Sequence, residues 1–380
     1  MDVDLSEDQE FFRETTRKFL ETEIPVENVR QLADNPAGFD RDWWRRGCEM
    51  GWTSMLVPEE HGGGSLEGEG LLDLVIVAEE MGRLITPGPL LATNVVALAV
   101  TERGTEDQKK ELLPGIVSGD VLATWALNES GGRWHPESLE LEARPVEGGF
   151  SLRGTKEPVE AAGHVDQILV TARTENGLTQ FLVPSDADGM TITPMESLDL
   201  VRRYGSIQFD DVFVPASSVL GEVGQAEDDV ERQLQVAIAL QLAETVGTVD
   251  RIFEVTLEWM FDRHSFGRPL ASYQALKHRF ADMKLYHEAN QAAATAVARA
   301  VQHHDEEASL KASSAKSYVG DHATFVLQEC VQMHGGLGVT WEYDLHLYLR
   351  RATTNQVQYG TPDDHRERIA QLIGMDEESQ

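Results

Sequence analysis

The side chains best suited to chemistry fall in one short stretch, Arg263-x-x-Phe266-Gly267 with Gln274 seven residues further on. Arginine carries a planar fork that holds a diphosphate through two parallel charge-assisted bonds. Gly267 lets the backbone pass close to a ligand. Pro269 stands near the start of a second amphipathic run. The N-terminus of a helix starting there adds amide donors and a favourable dipole for an anion. The chemistry implied is the grip of an anionic cofactor between two helices.

An anionic ligand must be held against the charge of the whole chain. The 380 residues include 32 Lys and Arg against 65 Asp and Glu, a net charge of −33. Such a field repels nucleic acid and anionic lipid, and it makes isolated arginines worth following. Hydrophobic residues make up 41%, enough for a substantial core in two or three domains. The only cysteines are Cys48 and Cys330, which suits a reducing compartment and excludes a disulfide scaffold. No CxxC or HExxH occurs, so no metal site is expected. The acidic opening residues differ from a signal peptide, and Leu90–Val100 is too short for a membrane span; a cytoplasmic location is expected.

Three textures organise the chain. Residues 1–120 read as helical: Ser6 is a candidate N-cap, and Leu71–Met81 and Leu90–Val100 are apolar helical runs, with breaks at Pro58–Gly64 ahead of the first and Pro87–Pro89 between them. Residues 121–225 read as β, with strand-length runs at Phe150–Arg153, Gln167–Val170, Gln180–Val183 and Ile207–Pro215, and a hairpin at Gly148-Gly149. Residues 226–380 return to helical period. Val249, Phe253, Leu257 and Met260 form one stripe, Leu276, Phe280 and Met283 another, and the alanines of 292–300 permit close packing. The tail after Asp376 is expected to fray. The fold class is α+β, with a β domain between two helical ones.

This layout and its motifs resemble the acyl-CoA dehydrogenase family over nearly the whole chain. Pro58-Glu-Glu-His-Gly-Gly63 is similar to the family's early glycine loop, and Phe209-Asp-Asp-Val-Phe-Val-Pro215 to the segment closing its β domain. The Arg263–Gln274 motif is the most specific match. Gln332-Met-His-Gly-Gly-Leu-Gly338 resembles the later glycine signature, and Arg350-Arg-Ala352 the Arg-Asp-Ala that follows it. The resemblance implies an N-terminal helical domain, a middle β-barrel or sandwich and a C-terminal four-helix bundle. It also implies FAD near a subunit interface and a homotetramer, or a heterotetramer with a second chain of the same kind. Positions matching Arg263, Phe266, Gln274, Gln332, Gly335 and Gly336 would contact the adenine-diphosphate half. Leu127, Asn128 and Thr361 would add contacts elsewhere on the cofactor. Acyl-CoA is the implied substrate, and electron-transfer flavoprotein or a similar acceptor the implied partner.

The chain departs from this pattern where the flavin ring and the base belong. Asn128-Glu129-Ser130 stands for the family's Thr-Glu-Pro, and Pro158-Val159-Glu160 for its Trp-Ile-Thr. A carboxylate at Glu160 would oppose the charge of a reduced ring, unless it turns away, the ring is held differently, or this subunit holds no ring. The family reaction needs a desolvated carboxylate to take the α-proton of the thioester. The two family positions for it hold Tyr359 and Ala237. Glu244 is the remaining weak candidate, with a helix-face polar contact as its other reading. Four functions stay open: a dehydrogenase with a relocated base, the non-catalytic half of a heteromeric dehydrogenase of the actinobacterial steroid-side-chain type, a flavin monooxygenase, and an acyl-CoA-binding module.

Other residues carry weaker expectations. Arg202-Arg203 is the best basic pair for coenzyme A phosphates. His303-His304 reads as an exposed helix end, His264 as part of the motif or solvent-facing, and His334 as a packing residue. Asp210-Asp211 reads as a turn, and Trp341-Glu-Tyr343 as an anchor for the C-terminal helix pair.

Overall fold

The computed structural model describes residues 5–375; the fraying expected after Asp376 lies outside them. Six helices come first: α1 (Glu7–Glu23), α2 (Val29–Leu32), α3 (Arg41–Glu49), α4 (Gly70–Arg83), α5 (Leu90–Arg103) and α6 (Glu106–Ser118). Ser6 caps α1 in a capping box with Gln9, and Thr105 does the same for α6 with Gln108. In α5 every residue from Leu90 to Val100 is buried, which explains why the run is apolar on all sides. No helix among the described residues is long and apolar enough to cross a membrane.

The strands follow: β1 (Ala123–Ala126), β2 (Glu142–Val146), β3 (Gly149–Glu160), β4 (Gln167–Thr174), β5 (Gly177–Pro184), β6 (Met190–Met195), β7 (Tyr204–Pro215) and β8 (Val219–Leu220). They form one mixed sheet in the order β6-β7-β3-β2-β4-β5-β8, with β1 parallel to β4. The hairpin expected at Gly148-Gly149 joins β2 to β3 one residue earlier: Glu147 and Gly148 form its loop, and Gly149 already pairs with Val146. Asp210 and Asp211 do not make a turn. They sit inside β7 at an irregularity opposite Leu152–Gly154, where Asp211 takes a positive φ of 53°. A bulge of this kind leaves an extra residue unpaired and bends the strand.

The C-terminal part holds α7 (Glu227–Asp262), a short hairpin of β9 (His264–Ser265) and β10 (Arg268–Pro269), α8 (Gln274–Gln302), α9 (Ala308–His334), α10 (Leu345–Val357) and α11 (Pro362–Leu372). Val249, Phe253 and Met260 are buried as the stripe predicts, whereas Leu257 is 42% exposed. Gly82 of α4 and Gly247 of α7 bring these helices into close contact: a Cβ on Gly82 would lie 2.0 Å from the Glu244 carbonyl, and one on Gly247 1.9 Å from that of Glu79. Trp341 is half exposed and, among the described residues, stacks only on His346, so Tyr343, tilted against His334, is the better anchored of that pair.

Two compact units result. One comprises the described residues up to Val29, Val75–Thr86 and those from Ile238 onward; the other comprises Arg30–Leu74 and Pro87–Ala237.

Candidate functional site

The Arg263 stretch forms a small, internally braced hairpin. Its two-residue loop is Phe266-Gly267, both at positive φ (50° and 79°), with Ser265 facing Arg268 and His264 facing Pro269. Positive φ at both loop positions is what a type I′ turn requires. Leu270 donates its N–H to the Arg263 carbonyl at 2.8 Å, and the Tyr273 hydroxyl donates to the Ser265 carbonyl at 2.7 Å. The Arg268 guanidinium covers the Tyr273 ring at 3.9 Å. These contacts leave Phe266 at 97% exposure and Arg263 exposed. Gln274 opens α8, and His264 lies at the surface with Nδ1 3.1 Å from the Asp262 carbonyl.

The glycine signature converges on the same corner of this unit through Trp259, a residue the sequence reading missed. Trp259 stacks on His334 at 5.1 Å, donates from Nε1 to the Met333 carbonyl at 3.3 Å, and has the Arg263 guanidinium 5.8 Å from its ring. His334 is thus a packing residue; burial pushes its pKa down, partly offset by its bond with the Cys330 carbonyl. Gln332, Gly335 and Gly336 are exposed, and a Cβ on either glycine would have open space around it. The available signal for Trp259 was its place one helical turn before Arg263. His303 and His304 are an exposed helix end.

In the other unit, the backbone after β1 is held from behind. Lys156 Nζ donates to the Leu127 carbonyl at 2.9 Å and to Glu129 at 2.7 Å. Glu129 also accepts the N–H groups of Glu140 and Leu141 at 2.7 and 2.9 Å. Burial pushes the Lys156 ammonium down to about 8 against the pull of Glu129. The Asn128 carbonyl accepts from Glu157 N–H at 2.9 Å, while its side-chain Oδ1 is buried with no partner among the described residues.

Arg202 and Arg203, the basic pair expected for coenzyme A phosphates, face partners inside the fold. Arg202 is buried against Glu160 at 3.0 Å. Arg203 donates to the carbonyls of Ala33, Asn35 and Leu200 at 2.6, 2.8 and 2.6 Å. Both guanidiniums have internal acceptors, which the solvated-loop alternative to phosphate contact does not require.

The base positions are apolar or closed. Ala237 is fully buried. Tyr359 is buried with φ at 60°, and its carbonyl pairs with His365 Nε2 at 2.9 Å. Burial pushes the His365 imidazole down to about 3. Thr361 caps α11 in a capping box: its hydroxyl donates to Asp364 at 2.7 Å and accepts that residue's N–H at 3.2 Å. Glu244 is not presented as a base. Its oxygens accept from Arg351 and from Asn355 Nδ2, each at 2.8 Å, and Arg351 is fully buried. Beside them Lys316 is buried with Gln241 Oε1 and the Asn355 carbonyl as acceptors. Burial pushes its ammonium down to about 7.

Comparison with known proteins finds similarity along nearly the whole chain. Residues 6–120 match the model of the acyl-CoA dehydrogenase N-terminal domain, and residues 229–374 that of the C-terminal domain. Acyl-CoA dehydrogenase IpdE2 of Mycolicibacterium smegmatis is 30% identical over 96% of this chain and 98% of its own. A variant of the Tcur3481–Tcur3483 steroid ACAD superimposes with a TM-score of 0.88 at 28% identity, covering 98% of this chain and 99% of that one. Butyryl-CoA dehydrogenase from Megasphaera elsdenii gives 0.89 at 25% identity, over 98% of this chain and 100% of that one.

Proposed function

This chain belongs to the acyl-CoA dehydrogenase family, and on that footing we propose that it is an FAD-dependent oxidoreductase acting on the Cα–Cβ bond of an acyl-CoA thioester, in fatty acid or steroid catabolism. The observation that carries the reading is the braced 263–274 hairpin, which projects a nearly fully exposed Phe266 beside an exposed Arg263. At 97% Phe266 is more exposed than any other large hydrophobic side chain among the described residues, the next being Val339 at 74%, and the braced turn holds it there.

The residues present fit a flavin dinucleotide. Arg263 offers a fork for the diphosphate, with Phe266 and Gln274 to flank the adenylate end. Gln332, Gly335 and Gly336 provide a donor and an unobstructed backbone. Leu127 and Asn128 offer backbone groups to the ring, and the unpartnered Asn128 Oδ1 is an acceptor in want of a donor. The Lys156–Glu129 pair holds that strand end from behind. Thr361 orders the turn after Tyr359 through its cap. When bound, FAD supplies the acceptor for the hydride equivalent that leaves Cβ.

The α-proton is the open half of the chemistry, since Ala237 and Tyr359 hold the family's base positions and Glu244 is committed elsewhere. This favours a second reading, in which the chain is the non-catalytic subunit of a heteromeric dehydrogenase and its hairpin serves a companion's cofactor. In either case the functional segments are taken as residues 1–120, 121–225 and 226–380, the location as cytoplasmic, and the assembly as a homotetramer or a heterotetramer. Electrons pass on to electron-transfer flavoprotein or a similar acceptor.

The test is direct. The protein, purified alone, is expected to be yellow and to bleach when acyl-CoAs are added without oxygen. A colourless protein that turns yellow and bleaches only when co-expressed with a second dehydrogenase-like chain selects the second reading. Failure to hold flavin under both conditions overturns both.

A further inference from the structure

Glu160 stands in the strand end assigned above to the flavin ring, where the family carries a neutral hydroxyl. Its counter-charge is built into the fold. Arg202 Nε lies 3.0 Å from Glu160 Oε1, and the side chains are only 8% and 5% exposed. The two sit at neighbouring strand ends, because Glu160 of β3 faces Tyr204 of β7, two residues past Arg202. The Glu160 carbonyl accepts from Thr124 Oγ1 of β1 at 2.6 Å. Three residues back, Glu157 donates to the Asn128 carbonyl. The segments around 128 and 160 are therefore side by side within one unit. The residues next in the chain to each member, Ala161 and Arg203, line a cavity of about 750 Å³ together with His164, Ile192, Met195 and Tyr204.

We propose that Glu160 and Arg202 act as one electrically neutral element beneath the flavin ring, so that the reduction potential of the bound flavin depends on both charges being kept together. The proposal rests on the assignment of Leu127, Asn128 and 158–160 to the ring. Reduction adds negative charge to the ring. A buried guanidinium without its carboxylate favours the reduced form, and a buried carboxylate without its guanidinium opposes it. Both act strongly because little water screens them. Glu160 and Arg202 are positioning residues in this scheme: they set the field and touch no reacting atom.

Redox titration of the FAD-loaded protein, in complex with its companion chain where flavin retention needs one, tests the idea. Glu160→Gln should raise the preference for reduced over oxidised FAD about tenfold or more, which is about 30 mV for a two-electron couple. Glu160→Asp, which keeps the charge, should leave the potential in place. Arg202→Met, measured above neutral pH so that the carboxylate stays ionised, should lower it, and the double variant E160Q/R202M should return it towards the parent value. Should Arg202→Met fail to fold, the Gln–Asp contrast at position 160 still decides. A parent protein that holds FAD while Glu160→Gln moves the preference less than about threefold overturns this inference alone. A parent that holds no FAD, by itself or in complex, overturns the ring assignment as well.

Discussion

The 263–274 hairpin and the cluster around Glu244 belong to the same compact unit and use their charged residues in opposite ways. The hairpin braces itself with backbone bonds and one cation–π contact, and it leaves Arg263 and Phe266 facing outward. The Glu244 cluster turns its charges inward: Arg351 and Asn355 hold Glu244, and Gln241 Oε1 and the Asn355 carbonyl hold Lys316, out of contact with water, while Gln241 Nε2 has no partner among the described residues. A ligand surface turns its charged groups outward on a rigid frame; a structural network turns them toward one another. Glu244 stood at neither family position for the base, and its weak candidacy rested on nearness in the chain; its partners are those of the helix-face polar contact that was its other reading.

The largest effect should come from breaking the inward network. Arg351→Met would leave the Glu244 carboxylate buried without its counter-charge, a change that costs about 3–5 kcal/mol. Urea unfolding should report that loss, and adding Glu244→Leu should recover most of it. A loss below about 1 kcal/mol would mean that the pair is not structural and would return Glu244 to consideration as the base.

The outward region should respond the other way round. Arg263→Ala removes a charge-assisted contact of about 1.5–3 kcal/mol, so FAD affinity should fall by roughly ten- to a hundredfold. Stability without cofactor should change by no more than about 0.5 kcal/mol, because the side chain is exposed. Fluorescence titration and thermal melting read the two quantities separately. A large drop in melting temperature with unchanged affinity would remove the hairpin from the cofactor site.

The hairpin was legible in the sequence because each of its residues imposes a local demand: Gly267 on φ, Pro269 on the chain after it, and Arg263 on the charge of its ligand. The capping residue Ser6 and the β2–β3 turn were legible on the same local grounds, whereas the cap at Thr361 was not foreseen. What could not be read were partners far apart in the chain. Glu244 meets Arg351 across 107 residues, and Arg203 meets Ala33 across 170. Lys156 and Lys316 were missed because a lysine in a periodic run carries no mark of what it will face; Trp259 had only its spacing from Arg263 to mark it. The departure at Glu160 was visible as a puzzle, and its answer, Arg202, was assigned to a phosphate because only its charge was in view.

A third test uses pH to probe the inward network. Lys316 is held by two neutral acceptors, with no ion pair among the described residues, and burial lowers its ammonium to about 7. Between about pH 7 and 10 the unfolded chain binds this proton and the folded chain does not. Stability therefore gains from this group as pH rises, by at most about 1.4 kcal/mol per unit. Below about pH 7 both states are protonated, and the cost of the buried charge is fully present and constant. The stability difference between the parent and Lys316→Met should accordingly be flat in acid and climb in the parent's favour through that window. A difference that stays constant from about pH 6 to pH 9.5 would mean that Lys316 remains charged in the fold.

The smallest expected effect isolates the backbone of the outward region. Gly267 has φ at 79° with open space where a Cβ would stand, so Gly267→Ala meets no clash and carries only the left-handed backbone penalty, about 1–2 kcal/mol. Part of that cost should appear as lower stability, and part as weaker FAD binding if the turn must hold its shape to aim Arg263 and Phe266. Gly267→Asn separates the two causes, since asparagine visits the left-handed region more readily than alanine while adding a larger side chain. Binding that recovers from Ala to Asn points to backbone shape as the determinant. Binding that worsens from Ala to Asn points instead to the space beside Gly267, and makes close approach of the cofactor to that turn the reason for its lack of a side chain.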